Sequence, residues 1–407
     1  MEVDVAVVGG GAVGVTTAGD LAERGADVRL FERDAVASGS SGRAAGVLYD
    51  AYADAIDAEI AGRSMDRFRR FAADVGFAFT QCPYVIAVQE GDDGADAVPE
   101  MVERMRAHGE DVTQVDPAEL GRRFPLETDD LATAAVATGA GYVDPEAYTA
   151  AMADRARAAG ATVHEGAPVA LASSAVGEGP SPADPVATGD ARDVLATDPP
   201  ALVVDPDGDA TCREFDAIVV ATGAHTPSLL ADAGVSLATV PYRVQALTSR
   251  GAFDGPMTYD ATAGVYLRPH PTGLLAGDGT EPVPADPETY DRDGDDWFVE
   301  NVSEAVRQRA GHEIDPERAW AGLCTATPDG DPLLGEITPG VIVATGWQGH
   351  GFMRAPGHAE RLAEQAIARA TDDEERLAKG TIDAFDPTRF GGDEEFEIVE
   401  GMQVENR

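Results

Sequence analysis

Gly9, Gly11 and Gly14 form a GxGxxG set directly after a valine-rich run, and an acid, Glu32, follows. Glycines at this spacing bind phosphate. Gly9 permits a tight turn, Gly11 lets a pyrophosphate approach the backbone, and Gly14 lets a helix pack closely on a strand. A helix starting here offers unpaired N–H groups and a partial positive charge to an anion. Glu32, about 20 residues beyond the glycines, has the spacing that puts a carboxylate on adenosine ribose hydroxyls, and an acid there disfavours a 2′-phosphate. These residues read as a dinucleotide site and leave open which dinucleotide is bound.

The elements needed to hold them are present in order. The run from Glu2 to Val8 reads as a buried parallel strand; Val13, Thr17 and Leu21 continue as a helix to Arg24. Gly25 caps that helix, and Asp27–Phe31 makes the second strand. A small-residue loop, Ser38–Gly46 (SGSSGRAAG), then offers room for a planar ring near the backbone and serine hydroxyls for phosphate or ribitol. A second glycine motif ends the strand Ala217–Gly223, and a third runs from Val341 to Phe352 with a helix expected from about Pro356. The fold class is α/β, a Rossmann-like domain with a second domain.

Between these motifs the periodicity predicts a helix over Asp57–Asp74, a strand over Phe77–Val88, and a helix over Glu100–His108. An alanine-rich helix is expected to end near Ala159, followed by one strand over Thr162–Leu171. Residues 172–200 are rich in Gly, Pro, Ser, Ala and Asp without periodicity, and read as a mobile hairpin tip. Residues 379–407 read as a polar, acidic tail.

Composition limits the partners. The 407 residues carry 73 acids against 30 Lys plus Arg, a formal net charge of −43, and Lys379 is the lone lysine. Such acidity repels itself unless screening is short-ranged, as in molar salt. It therefore reads as adaptation to the salty cytoplasm of a halophilic archaeon. A nucleic-acid partner needs basic stripes and is not expected. Cys82, Cys212 and Cys324 are scattered, so neither a disulfide framework nor a metal site is expected. No apolar run reaches the roughly 20 residues of a membrane span, and no leader is expected before the first strand.

GGGAVG (Gly9–Gly14), SGSSGRAAG, ATGAHTPSL (Ala221–Leu229), YLRPHPTGLLAG (Tyr266–Gly277), WAGLCTATPDGDPLLG (Trp320–Gly335) and GWQGHGFMRAP (Gly346–Pro356) occur in that order. In these pieces, which cover most of the chain, the sequence resembles the D-amino-acid oxidase/dehydrogenase superfamily of FAD enzymes, the branch holding glycine oxidase, sarcosine oxidase and dimethylglycine dehydrogenase. The resemblance implies FAD contacts from Gly9, Gly11, Ala12, Val13 and Gly14, from Glu32 and Arg33, and from Ser40, Ser41, Arg43, Ala44, Ala45 and Gly46. It implies others from Val169 against the adenine, from Thr222 and Gly223, and from Gly346, Gly349, His350, Gly351, Phe352 and Met353. It also implies a discontinuous FAD domain (1–75, 142–240 and 320–378) and a substrate domain on an antiparallel sheet (76–141 and 241–319). The implied reaction is hydride transfer from a C–H beside nitrogen, giving an imine that water hydrolyses.

Several family positions are changed. The histidine that holds flavin covalently in dimethylglycine dehydrogenase-like members is Arg43 here, and the cysteine of sarcosine oxidase-like members is Gly322, so FAD is expected to be noncovalent. Cys324 reads as a small buried residue; it stands where glycine oxidase-like members place a carboxylate-binding arginine. Arg268 and Arg354 are the candidates to replace that clamp, because a guanidinium binds a carboxylate in bidentate fashion; structural salt bridges are the other reading. Tyr266, Arg268 and His270 share a strand face by alternation, a candidate substrate wall. His350 is a candidate contact to flavin or substrate, and Tyr259 and Trp347 are either wall or core. Leu275 replaces the oxygen-activating lysine of sarcosine oxidases, which favours a dehydrogenase passing electrons to a quinone, a carrier flavoprotein or another acceptor, with oxygen the alternative. The expected substrate is a small amine or amino acid: sarcosine, dimethylglycine, glycine or a D-amino acid. The competing readings are a 2-hydroxy-acid dehydrogenase using a histidine base and a flavoprotein-like assembly factor without catalysis.

Overall fold

Alternation along the first strand divides its side chains between two cores. Val5 and Val7 pack under the helices, while Ala6 and Val8 pack on the opposite face with Phe31, Leu202 and Phe215. A parallel strand buried on both faces is therefore apolar throughout. In the computed structural model, which describes residues 3–172, 199–205, 208, 210–380, 383–392 and 394–398, this strand, Asp4–Val8, lies inside a six-stranded sheet. The order is Leu333–Thr338, Val341–Thr345, Ala217–Val220, Asp4–Val8, Asp27–Phe31 and Thr162–His164. All neighbours are parallel except the first two.

Helices Ala12–Glu23, Pro145–Ala158 and Gly351–Ala370 contribute to the core on one face. The other face carries a three-stranded antiparallel sheet of Val169–Leu171, Ala201–Val204 and Thr211–Glu214. Asp20 ties the helices together. Its carboxylate receives Arg67 of helix Ala55–Val75 at 2.6 and 2.7 Å and Arg155 of helix Pro145–Ala158 at 2.8 Å. Arg67 also donates to the Pro356 carbonyl at 2.6 Å. Both guanidiniums lie over the Phe71 ring.

A second sheet of eight strands runs Pro316–Ala326, Val240–Arg250, Gly273–Gly277, Val265–His270, Met257–Asp260, Tyr84–Gln89, Leu131–Ala137 and Val112–Val115. It is antiparallel except where Met257–Asp260 meets Tyr84–Gln89. Helix Asp296–Ala310 packs on it through Phe298, Val302 and Val306.

Four expectations are corrected. The stretch Phe77–Val88 is broken into strands Phe79–Gln81 and Tyr84–Gln89 around Cys82-Pro83, because proline cannot donate within a ladder. Thr162–Leu171 is likewise two strands, in different sheets. Residues Trp320–Ala326 run in the eight-stranded sheet, paired throughout with Val240–Ala246, and so leave the nucleotide half to which they were assigned. The C-terminal helix begins at Gly351 rather than near Pro356. Proline would break it there, but Ser64 bonds both the Arg354 carbonyl and the Gly357 N–H, and Arg67 takes the Pro356 carbonyl. Residues 173–198 of the expected hairpin tip, and 381, 382, 393 and 399–407 of the acidic tail, lie outside the described residues. Within the tail, Phe385 is buried against His358, and Arg389 pairs with Asp329 at 2.8 Å. Among the described residues no helix is long and apolar enough to cross a membrane.

Candidate active site

The glycine turn is shaped by main-chain contact. A Cβ on Gly14 would sit 2.0 Å from the Gly9 carbonyl oxygen, so the first helix rests directly on the turn. Gly9 has φ +110°, and a Cβ there would sit 2.4 Å from the Ala221 carbonyl oxygen. Two excursions of the parallel sheet thus meet with no side chain between them. Glu32 closes the turn: its carboxylate accepts from the Gly10 N–H at 2.7 Å and the Asp34 N–H at 2.9 Å. The Ala12 N–H at the helix start is met by the Ser41 hydroxyl at 2.9 Å.

From this turn a cavity of about 1430 Å³, its mouth included, runs between the two large sheets. Gly11, Ala12 and Val13 form one end with Ser40, Ser41 and the Arg43–Gly46 stretch. Ser40 donates to the Leu323 carbonyl at 2.7 Å, and Trp320 Nε1 donates to the Arg43 carbonyl at 3.0 Å. The small-residue loop is thereby fixed against the eight-stranded sheet. Gly223 and the Gly349–Met353 segment complete this arm. Helix Gly351–Ala370 points its N-terminus at the cavity with no side chain capping it, leaving partial positive charge directed inward.

The other end is aromatic. Tyr49, Tyr84, Tyr259, Tyr266 and Trp320 line it. Tyr49 stacks between Tyr52 and Tyr84 with ring centroids 4.9 and 4.8 Å away. His350 meets Tyr49 and Tyr52 edge-on. Burial, with Arg354 beside it, pushes the His350 imidazole down to about 3. Arg354 Nη2 lies 3.3 Å from His350 Nδ1, so a neutral ring accepting there carries its proton on Nε2. Asp278 lines the same end, and burial pushes its carboxyl up to about 7.

The expected site residues divide into those that line the cavity and those that do not. Gly11, Ala12, Val13, Ser40, Ser41, Arg43, Ala44, Ala45, Gly46, Gly223, Tyr266, Gly349, His350, Gly351, Phe352 and Met353 all line the cavity. Gly9, Gly14 and Glu32 shape its turn from behind, and Gly346, at φ +82°, turns the third motif, with its N–H on the Thr325 hydroxyl. Arg33 is held by Glu288 at 2.7 Å. Thr222 bonds Thr226, and Val169 packs on the three-stranded-sheet side of the core.

Neither arginine proposed as a clamp is on the cavity wall. Arg268 donates to the carbonyls of Ala45 at 2.6 Å and Pro269 at 2.7 Å and lies over the Tyr142 ring. Arg354 pairs with Asp57 at 2.6 Å beneath the Tyr52 ring. Cys324, expected in the core, is on the wall, since the alternation of Pro316–Ala326 exposes it with Trp320 and Gly322. Tyr259 and Trp347 also line the cavity. Tyr49, Tyr84, Gln245 and Asp278 went unnoticed in the sequence; the usable signals were the tyrosines just past the small-residue loop and an acid directly after an apolar strand.

The model for "FAD dependent oxidoreductase" matches residues 4–365. The chain belongs to that family. It is 28% identical over 376 residues to a glycine oxidase of Geobacillus kaustophilus, spanning 87% of this chain and 90% of that one. It is 30% identical over 176 residues to a D-amino acid dehydrogenase of Methylobacterium radiotolerans, 40% of each chain. An L-proline dehydrogenase structure from P. horikoshii superposes with TM-score 0.76 over 95% of this chain and 97% of that one at 24% identity, a likeness of fold. FAD is the family cofactor, and the site suits it: bare backbone at the turn, small residues along the loop, and an uncapped helix N-terminus at the far end. This chain is therefore an FAD-dependent oxidoreductase.

Proposed function

We propose that this chain oxidises the carbon–nitrogen bond of a small amine or amino acid such as sarcosine, dimethylglycine, glycine or a D-amino acid. The observation that carries the reading is a single cavity joining the glycine turn to an aromatic compartment at the N-terminus of helix Gly351–Ala370. The names of the curated relatives, a glycine oxidase and a D-amino acid dehydrogenase, point the same way.

FAD is held without a covalent bond. Gly11 and the start of the first helix would receive its pyrophosphate on the turn that Gly9 and Gly14 shape, Glu32 would take its ribose, and Ser40–Gly46 would face its ring system. Bound FAD supplies a hydride acceptor for the C–H beside the substrate nitrogen. The uncapped start of helix Gly351–Ala370 would offer N–H groups to negative charge on the bound group. Tyr84, Tyr259, Tyr266 and Trp320 exclude water and set the substrate's orientation. Arg354 acts through others: it fixes Tyr52 and His350. Arg268 positions the loop at Ala45. The 2-hydroxy-acid alternative needs a histidine to take a hydroxyl proton, and His350 at about 3 is a poor acceptor. Leu275 keeps a dehydrogenase passing electrons to a quinone or carrier flavoprotein ahead of an oxidase. The acidic composition supports a salt-rich cytoplasm as the setting of the reaction.

Anaerobic mixing in high salt with amines, D- and L-amino acids and 2-hydroxy acids tests this. An amine or amino acid should bleach the flavin's visible band, and admitting air should restore it slowly. Bleaching by hydroxy acids alone would establish the alternative chemistry. A bound flavin that no panel member reduces would favour the assembly-factor reading.

A further inference from the structure

The cavity wall has one carboxylate among its described residues, and the arginines near it are occupied. Asp278 is that carboxylate. Arg43, the guanidinium on the wall, belongs to the loop end and donates to the Ser38 and Gly39 carbonyls. Arg354 is committed to Asp57, and Arg268 to the carbonyls of Ala45 and Pro269.

Asp278 is held in place by its backbone. It follows strand Gly273–Gly277, where Gly277 is paired with the wall residue Tyr266. Strict alternation would turn the next side chain to the opposite face. Instead φ is +82° at Asp278, a left-handed conformation uncommon outside glycine, and its side chain joins Tyr266 on the wall. The glycines on either side are wedged. A Cβ on Gly277 would sit 2.2 Å from the Tyr266 hydroxyl, and one on Gly279 2.4 Å from the Phe298 ring. The Thr280 hydroxyl donates to Asp278 Oδ1 at 2.8 Å, and among the described residues no cation contributes to the carboxylate's surroundings. The neighbouring elements offer phenols: Tyr84, Tyr259 and Tyr266, with Tyr84 kept protonated by burial. Strand Val240–Arg250 adds the neutral Gln245 to the wall and helix Asp296–Ala310 adds Phe298 against Gly279; Glu281, farther on, is paired with Arg243. A half-buried acid without a cation is unfavourable alone and complementary to a cationic ligand.

Resting on the carbon–nitrogen oxidation reading, we propose that Asp278 binds the substrate's ammonium group and takes its proton. The N–H bond breaks, its electron pair stays on nitrogen, and the proton passes to the carboxylate oxygen, giving a neutral amine and a carboxylic acid. The amine lone pair is then available to assist oxidation of the adjacent C–H. Recognition runs through the cationic nitrogen, so the substrate class extends to amines that lack a carboxylate.

The test uses the FAD-loaded enzyme with D278N, since asparagine tolerates a left-handed backbone. Isobutylammonium chloride and sodium isobutyrate serve as probes of equal shape, read by perturbation of the flavin spectrum. Wild type should bind the ammonium probe more tightly than the carboxylate, and D278N should weaken only the former, by about 10-fold or more. Flavin reduction by the best amine of the panel should rise with pH through about 7 in wild type. D278N should lose this limb and react about 100-fold more slowly at pH 8. T280V, which removes a hydrogen bond favouring the carboxylate, should move the limb to higher pH. Equal ammonium affinity in wild type and D278N, or an unchanged pH limb in D278N, overturns the role of Asp278 and leaves C–N oxidation standing. Asp278-dependent ammonium binding with no amine able to reduce the wild-type flavin would keep the cation site and overturn the oxidation.

Discussion

Asp20 and Asp278 are both aspartates turned inward, and their surroundings are opposite. Asp20, 1% exposed, sits among helices behind the nucleotide sheet, where two guanidiniums meet one carboxylate. Asp278 sits on the cavity wall among phenols with a single threonine as hydrogen-bond donor. The first charge is satisfied by the fold itself. The second leaves a demand for positive charge facing the place where a substrate must lie. The pairing of an inward acid, and not its burial, separates a structural carboxylate from one available to a ligand.

Breaking the first region should have the larger effect on stability. D20N leaves Arg67 and Arg155 facing a neutral amide, and removal of one partner from a buried pair costs about 3–5 kcal/mol. Urea unfolding in molar salt should show that loss, with the amine-to-carboxylate preference of the remaining folded enzyme unchanged. Next comes the turn. In G14A the new Cβ must displace the Gly9 carbonyl, an overpacking of about 1–3 kcal/mol or more placed where FAD binds. G14A should purify without flavin. In G11A only the Ser41 side chain lies in the way, at 3.0 Å, and flavin should be retained, with weaker affinity.

The Asp278 substitution should run the other way in stability. Its folded pKa of about 7 exceeds the unfolded value, so its contribution is favourable at low pH and is lost as pH rises toward 7. D278N should therefore match wild type near pH 4 and melt higher at pH 8, by up to about 2 °C, while amine oxidation falls. A drop in melting temperature at pH 8 would show that Asp278 is paired after all, and would erase the contrast with Asp20.

The same contrast explains what the sequence makes legible. The glycine turn is built from backbone contacts, so its requirement is written locally as Gly9, Gly11, Gly14 and Glu32 within one βαβ unit. The small-residue loop was readable for the same reason. The aromatic end is assembled from Tyr259 and Tyr266, opposite each other on neighbouring strands, from Tyr84, brought in by the pairing of the distant strand Tyr84–Gln89, and from Tyr49, which stacks on Tyr84. Alternation placed Tyr266 correctly on the wall but carried Arg268 with it, and the arginine instead folds back onto Ala45. It also hid Asp278, whose left-handed backbone breaks the alternation. The helix start was misplaced because Pro356 is a local stop signal, overridden by Ser64 and Arg67 from another helix.

Glu110 sharpens the comparison as an intermediate case. Burial and the nearby Asp50 push its carboxyl up to about 7, and Arg69 opposes them only in part. It resembles Asp278 in sign, with stability lost as pH rises from the unfolded value toward 7. It differs in that a second carboxylate, rather than an aromatic wall, supplies much of the penalty. E110Q should leave the melting temperature unchanged near pH 4 and raise it at pH 8 by less than D278N does, because water reaches this half-buried group. Added salt screens the repulsion from Asp50 and leaves burial untouched. The gap between wild type and E110Q at pH 8 should therefore narrow as salt rises, while the gap between wild type and D278N holds. Gaps that shrink in parallel would mean that Asp278, too, is governed by a neighbouring charge and not by its lack of a partner.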